Sequence, residues 1–173
     1  MIMADILKIF LIIVGILTMY VSYWLVAHAL FPNVVDNARL QYGKPVRITL
    51  LGLAVGLVPF IAGAAISKLP QPPLKLIGVI LMAIPILLGL VGSAGLVLRI
   101  GAGLPSPLDA QQPWRRVLRG GILFSLTFLL PFFGWFVIPI WALISGLGAF
   151  VLGVKNSRAA RNPAPPVMNL SPA

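Results

Sequence analysis

The chain has no cysteine and no glutamate, and its 173 residues include only one histidine and three aspartates. Without cysteine there are no disulfides, thiolate metal sites or cysteine nucleophiles, and the redox compartment stays undetermined. Asp5, His28, Asp36 and Asp109 are therefore the whole stock of groups for acid–base or metal work, and no pair of them has metal-ligand spacing. No nucleophile-elbow, zinc-protease-helix or phosphate-loop signature occurs. Ion pumps and proton relays set ionisable residues inside their spans, whereas every charge here stands at the end of an apolar block. An enzyme or ion-coupled carrier is not expected, and no catalytic, metal-binding or cofactor-binding set is assigned.

What the chain has in abundance is apolar surface: 60% hydrophobic against 9% charged residues, with a mean hydropathy of +1.04. That balance lies outside soluble domains, and the apolar residues come in blocks rather than in the short alternating segments of a barrel. The expectation is an all-α integral membrane protein. The 13 Lys and Arg residues, giving a net charge of +10, flank the blocks. They read as topology signals and contacts to anionic lipid headgroups, not as a nucleic-acid surface.

Residues 1–154 are expected to form a single membrane domain, with helices at about 6–31, 46–67, 74–98, 121–130 and 135–153. Ala27-His28-Ala29 mimics a signal-peptidase site, but the apolar run before it is too long and Asp5 interrupts a basic leader. Tyr20, Tyr23, Trp24, His28 and Phe31 form an aromatic stripe, read as a belt at one interface. The other use of His28 is contact with a pigment or haem. Residues 32–47 read as a polar loop. In the second block Gly52, Gly56 and Gly63 share a helix face, a small-xxx-small pattern that serves packing within the chain or an oligomer contact. Pro59 is expected to kink this helix. The third block carries Pro85 and a small-residue patch from Gly89 through Gly92 and Gly95 that should face another helix.

In the connection that follows, Ser106-Pro107-Leu108-Asp109 resembles a capped helix start. Trp114, Arg115, Arg116 and Arg119 suit the headgroup layer, with the aromatic dipping in and the guanidinium groups on phosphates. From Gly120 to Val154 there is no charge, and a straight helix of that length would run roughly 50 Å against a hydrocarbon core of about 30 Å. Leu130-Pro131-Phe132-Phe133-Gly134 interrupts it. The reading is a re-entrant hairpin with Pro131 and Gly134 at its turn and Pro139 bending the longer arm. That arm is small on one side, at Ala142, Ser145, Gly146, Ala149 and Gly153, and is expected to pack on the glycine face of the second span. The tail, 155–173, is basic, then proline-rich and flexible.

Charge counting favours the hairpin. With a single straight last span, a total of four helices, an N-inside orientation puts six basic residues inside and seven outside. With three spans and a hairpin, an N-outside orientation puts ten inside and three outside. The expected topology is N-terminus outside, C-terminus cytoplasmic, in a bacterial inner membrane.

Gly43-Lys44-Pro45-Val46-Arg47 before Leu50-Leu51-Gly52-Leu53, then Leu76-Ile77-Gly78, Arg119-Gly120-Gly121, Leu130-Pro131-Phe132-Phe133-Gly134-Trp135 and Gly146-Leu147-Gly148-Ala149 together make a pattern over 43–154. It resembles the hydrophobic membrane domain of uncharacterised bacterial proteins associated with polymer-forming, bactofilin-like domains. The resemblance implies a membrane anchor or scaffold and carries no catalytic residues. The expected function is a non-enzymatic accessory or scaffold subunit that works by helix packing and lipid contact, with other membrane subunits or further copies of itself as partners. The alternatives are an oligomeric pore or lipid or small-molecule transporter component, with Thr18, Ser22, Ser93, Ser125 and Thr127 lining a path, and a pigment- or haem-associated subunit through His28.

Overall fold

A computed structural model describes residues 2–130 and 132–161. The described chain is helical throughout: α1 (Ile2–Leu30), α2 (Pro32–Gln41), α3 (Pro45–Ser67), α4 (Pro72–Ala102), a 3-10 turn (Pro107–Ala110), α5 (Trp114–Thr127), a π-helical turn (Phe133–Val137) and α6 (Ile138–Arg161). Four helical segments, Met3–Leu30, Pro45–Ser67, Pro72–Ala102 and Phe133–Arg158, are long and apolar enough to cross a membrane.

Proline starts the elements. α2, α3, α4 and the 3-10 turn each begin with proline in the first helical turn. There its fixed φ suits the helix and its missing N–H belongs to a group with no intrahelical acceptor anyway. Pro59 and Pro85 lie inside α3 and α4, which continue past them. The chain reverses after α5 at Phe132, whose φ of 62° and ψ of −63° are rare for a residue with a side chain. The π turn that follows brings the chain into α6 just before Pro139, a residue with no N–H to give.

Two stretches expected to lie outside helices are helical in part, and α5 begins at Trp114 rather than near Gly121. The supposed polar loop at 32–47 is largely α2, whose Val35 and Ala38 are fully buried. Pro32 does end α1, but it also starts a new helix, and the apolar Val35 and Ala38, three residues apart, then face inward. The helix of α6 also runs on to Arg161, so the first part of the supposed flexible tail is helical. The proline-rich segment of that tail and Pro131 lie outside the described residues.

α4 is the hub. It packs against α1, α2, α3, α5 and α6, while α6 packs against α2, α3 and α4, and α5 against α1 and α4. α5 and α6 therefore do not pair along their lengths as the arms of a closed hairpin would. They meet at the turn, where a Cβ on Gly134 would strike the carbonyl of Thr127 and stand 2.9 Å from the Cα of Phe128.

The contacts also fix directions. Gly101 and Gly120 pair with Arg116 and Val97, Gly95 with Ala38 and Arg39, and Gly153 with Val34 and Ala38. So the end of α4, all of α2, the start of α5 and the end of α6 gather at one end of the bundle. The turn between α3 and α4, near the Gly63–Gly78 contact, lies at the other.

Glycine lets these helices touch backbone to backbone. A Cβ on Gly52 would overlap the carbonyl of Ile144, one on Gly92 that of Gly146, one on Gly146 that of Gly89, and one on Gly148 that of Ile48. Lipid tails are as apolar as leucine, so association within a bilayer depends on close packing rather than on removing apolar surface from water. The small side of α6 does not meet α3 as expected. Its Gly146 faces α4 and its Gly153 faces α2, while Ile144 and Gly148 form the contact with Gly52. Gly63 packs on Gly78 and Met82 of α4, and a Cβ on Gly56 would stand 3.0 Å from the Leu147 side chain. By contrast, a Cβ on Gly15 would meet nothing within 4 Å.

Gly146→Leu is expected to lower stability by about 3 kcal/mol or prevent folding, because the overpacked atoms are backbone and cannot move aside. Gly15→Leu should unfold with the wild type. Denaturation in detergent micelles checks both, and equal behaviour of the two variants would contradict the packing described.

Candidate functional site

Two places concentrate polar side chains: the core beneath Trp24 and the basic end. Trp24 is 2% exposed, and its indole Nε1 donates to Ser93 Oγ at 3.0 Å. Ser93 in turn donates to the Leu90 carbonyl at 2.7 Å, so the indole N–H and the hydroxyl are both satisfied. Tyr20, Trp24, Phe124 and Phe128 form an aromatic cluster with centroid separations of 5.4–5.9 Å, tying α1 to α5. This corrects the reading of Trp24 as a belt residue at the membrane edge. A large aromatic near the end of a span looks the same in sequence whether lipid or a neighbouring helix covers it.

His28, one turn beyond Trp24 on α1, is half-buried, and its Nδ1 is buried with no hydrogen-bond partner among the described residues. Among the described residues no group of three His, Asp or Glu side chains comes together to hold a metal. The five hydroxyl residues proposed for a path are not brought onto one surface. Thr18 and Ser22 are exposed on α1, while Ser93 and Ser125 are buried. Thr18, Ser93 and Thr127 each donate to a carbonyl of their own helix.

At the basic end the sequence builds a small charged device. Ser106 and Asp109 form a capping box around the 3-10 turn, the Ser106 N–H donating to Asp109 Oδ2 at 3.3 Å. Arg119 Nη2 donates to both carboxylate oxygens of Asp109, at 2.6 and 2.7 Å, and Arg116 Nε lies 3.3 Å from Oδ2. The carboxylate thus fastens the connection to the first turns of α5. Its burial raises the pKa, but the hydrogen bond and charge of Arg119, with help from Ser106 and Arg116, outweigh this and hold it below the ordinary aspartate value.

This geometry divides the basic cluster that was expected to face phosphates as a unit. Arg116 and Arg119 are held by Asp109, while Arg115 lies over the Trp114 ring at 5.7 Å and Trp114 is exposed. Ala149 is buried in the core. Gly78, Gly101, Gly120 and Gly148 carry close contacts that the sequence reading did not assign to helix packing.

Two apolar grooves open sideways from the bundle. One, of about 410 Å³, lies between α3, α4 and α6 over Gly52, Gly56 and Pro85. The other, of about 480 Å³, lies between the first half of α1 and the α5–α6 turn, against Tyr20, Trp135 and Pro139. Neither has a titratable group at its wall other than Tyr20. Comparison of the chain with protein-family models, with curated proteins and with solved structures finds no match.

Asp109→Asn should destabilise the chain, and the loss should depend on pH in a defined direction. A carboxylate whose folded pKa is depressed contributes stability above its unfolded pKa, about 3.9, and loses it as pH falls through the folded value. The difference in unfolding midpoint between wild type and variant should therefore be constant from about pH 7 to about pH 5 and shrink at more acid pH. A difference unchanged at the acid end would contradict the pairing.

Proposed function

We propose that this chain is a non-enzymatic membrane subunit, an accessory or scaffold component that acts by helix packing and lipid contact. The observation that carries the reading is where the chemistry is. The interior is closed by glycine–backbone crossings and one aromatic cluster, and the aspartates and basic residues stand in α2, in the connections, in the first turns of α5 or toward the ends of the long apolar helices. A surface of exposed Ile, Leu, Val and Phe surrounds this interior, and lipid or a neighbouring subunit suits it. The resemblance of residues 43–154 to a membrane anchor domain points the same way.

The topology proposed with it is three spans, α1, α3 and α4, followed by a re-entrant pair, α5 and α6, that returns the chain to the face it left. Support comes from the gathering of α2, the start of α5 and the end of α6 at one end of the bundle. That end carries Arg39, Lys44, Arg47, Arg99, Arg115, Lys155 and Arg158 besides the two arginines on Asp109, while Lys8, Lys68 and Lys75 belong to the other. By the bias of basic residues toward the cytoplasm, the basic end faces inside, the N-terminus outside, and the membrane is a bacterial inner membrane. A pore is the less supported reading, because three of the five hydroxyls it would use, those of Thr18, Ser93 and Thr127, are turned back onto their own helices.

Extraction of the tagged full chain in several mild detergents tests the role. The expected particle is larger than one chain and keeps one stoichiometry, with itself or with a defined membrane partner, in every detergent. A monomer throughout, combined with solute flux in reconstituted vesicles, would contradict it and favour the transporter reading.

A further inference from the structure

With Arg116 and Arg119 held by Asp109, the free positive charge of the basic end lies elsewhere. Lys44 and Arg47, at the start of α3, are both exposed, and among the described residues neither is paired with an acid. Lys44 is the residue just before α3 and Arg47 lies in its first turn, and the two share the same stretch of surface. They line a shallow, open recess that continues along α3 over Val46, Leu50 and Leu51, and an adjoining one of about 250 Å³ against Gly43 and Ile48. No acid lines either recess. A third cation approaches from α4, where Arg99 Nη1 lies 3.7 Å from the point a Cβ on Gly43 would occupy.

We propose that this recess is a binding site for an anionic phosphoglycerolipid. The phosphate sits between the Lys44 ammonium and the Arg47 guanidinium, with Arg99 behind them, and one acyl chain lies along Val46, Leu50 and Leu51. Charge complementarity selects the headgroup, since positive charges with no counter-ion in the protein face the layer where lipid phosphates stand. The apolar strip running on from the two cations selects a lipid over free phosphate, because it continues down a helix apolar enough to cross the membrane. The site rests on membrane placement of this end and not on the scaffold role.

The test is lipid retention by the full chain purified in mild detergent and given equal amounts of phosphatidylglycerol and phosphatidylcholine, with bound lipid counted by native mass spectrometry. The wild type should retain the anionic lipid in preference by about thirtyfold, the factor set by two basic contacts near a surface. Lys44→Gln with Arg47→Gln should bring retention near parity, at unchanged melting temperature because both side chains are exposed. Arg47→Lys should keep most of the preference, and Lys68→Gln with Lys75→Gln, at the other end, should keep all of it. A preference surviving in the Lys44/Arg47 variant, or lost equally in the Lys68/Lys75 variant, would overturn the site. Inorganic phosphate at constant ionic strength should leave the lipid bound; displacement by it would overturn the assignment to a lipid. Particle size measured in the same samples reports on the scaffold reading separately, so either can fail alone.

Discussion

Backbone contact between α3, α4 and α6 is the constraint on which the rest of the structure depends. Inside a bilayer the usual gain from burying apolar side chains between helices is nearly absent, because lipid covers those side chains equally well. What remains is dispersion, which falls steeply with distance, and the short reach that glycine permits. Gly52 against Ile144, Gly92 against Gly146 and Gly148 against Ile48 set α6 directly on its two neighbours. The position of α6 then decides where its later turns meet α2, at Gly153. α1 shares none of these crossings. It is held through Trp24, Ser93 and the aromatic cluster in its second half, and its first half lies almost wholly exposed.

The polar economy of the fold follows from how few acids it has. One carboxylate, Asp109, meets two guanidinium groups and caps its own turn, joining the connection after α4 to the start of α5. Among the described residues the remaining cations of that end have no acid partner. On the proposed topology, the division of the basic residues into a fastened pair and a free set separates structural from lipid-facing charge.

Much of this was legible in the chain. The apolar blocks and their charged ends mark the long helices, and Ser106-Pro107-Leu108-Asp109 announces its capping box because all of its contacts are local. α2 was hidden by composition: Pro32 and Asn33 read as a stop, and Val35 and Ala38 are too few to stand out among polar neighbours. Nonlocal partners were hidden for a different reason. Periodicity shows that Gly52 and Gly56 share a face, but not that Ile144, Leu147 and Gly148 cover it instead of the Ala142, Gly146, Ala149 side. Trp24 shows the same limit, since its burial depends on a serine in another helix.

The central claim is that the chain between Gly120 and Val154 enters and leaves by the same face. Because the protein has no cysteine of its own, single cysteines report sidedness without background. Cysteines placed at Gln111 and Asn156, both exposed, should react with a membrane-impermeant thiol reagent from one side of oriented vesicles, and a cysteine at Lys68 from the other. Labelling of Gln111 and Asn156 from opposite sides would contradict the account and make the last apolar block a single crossing.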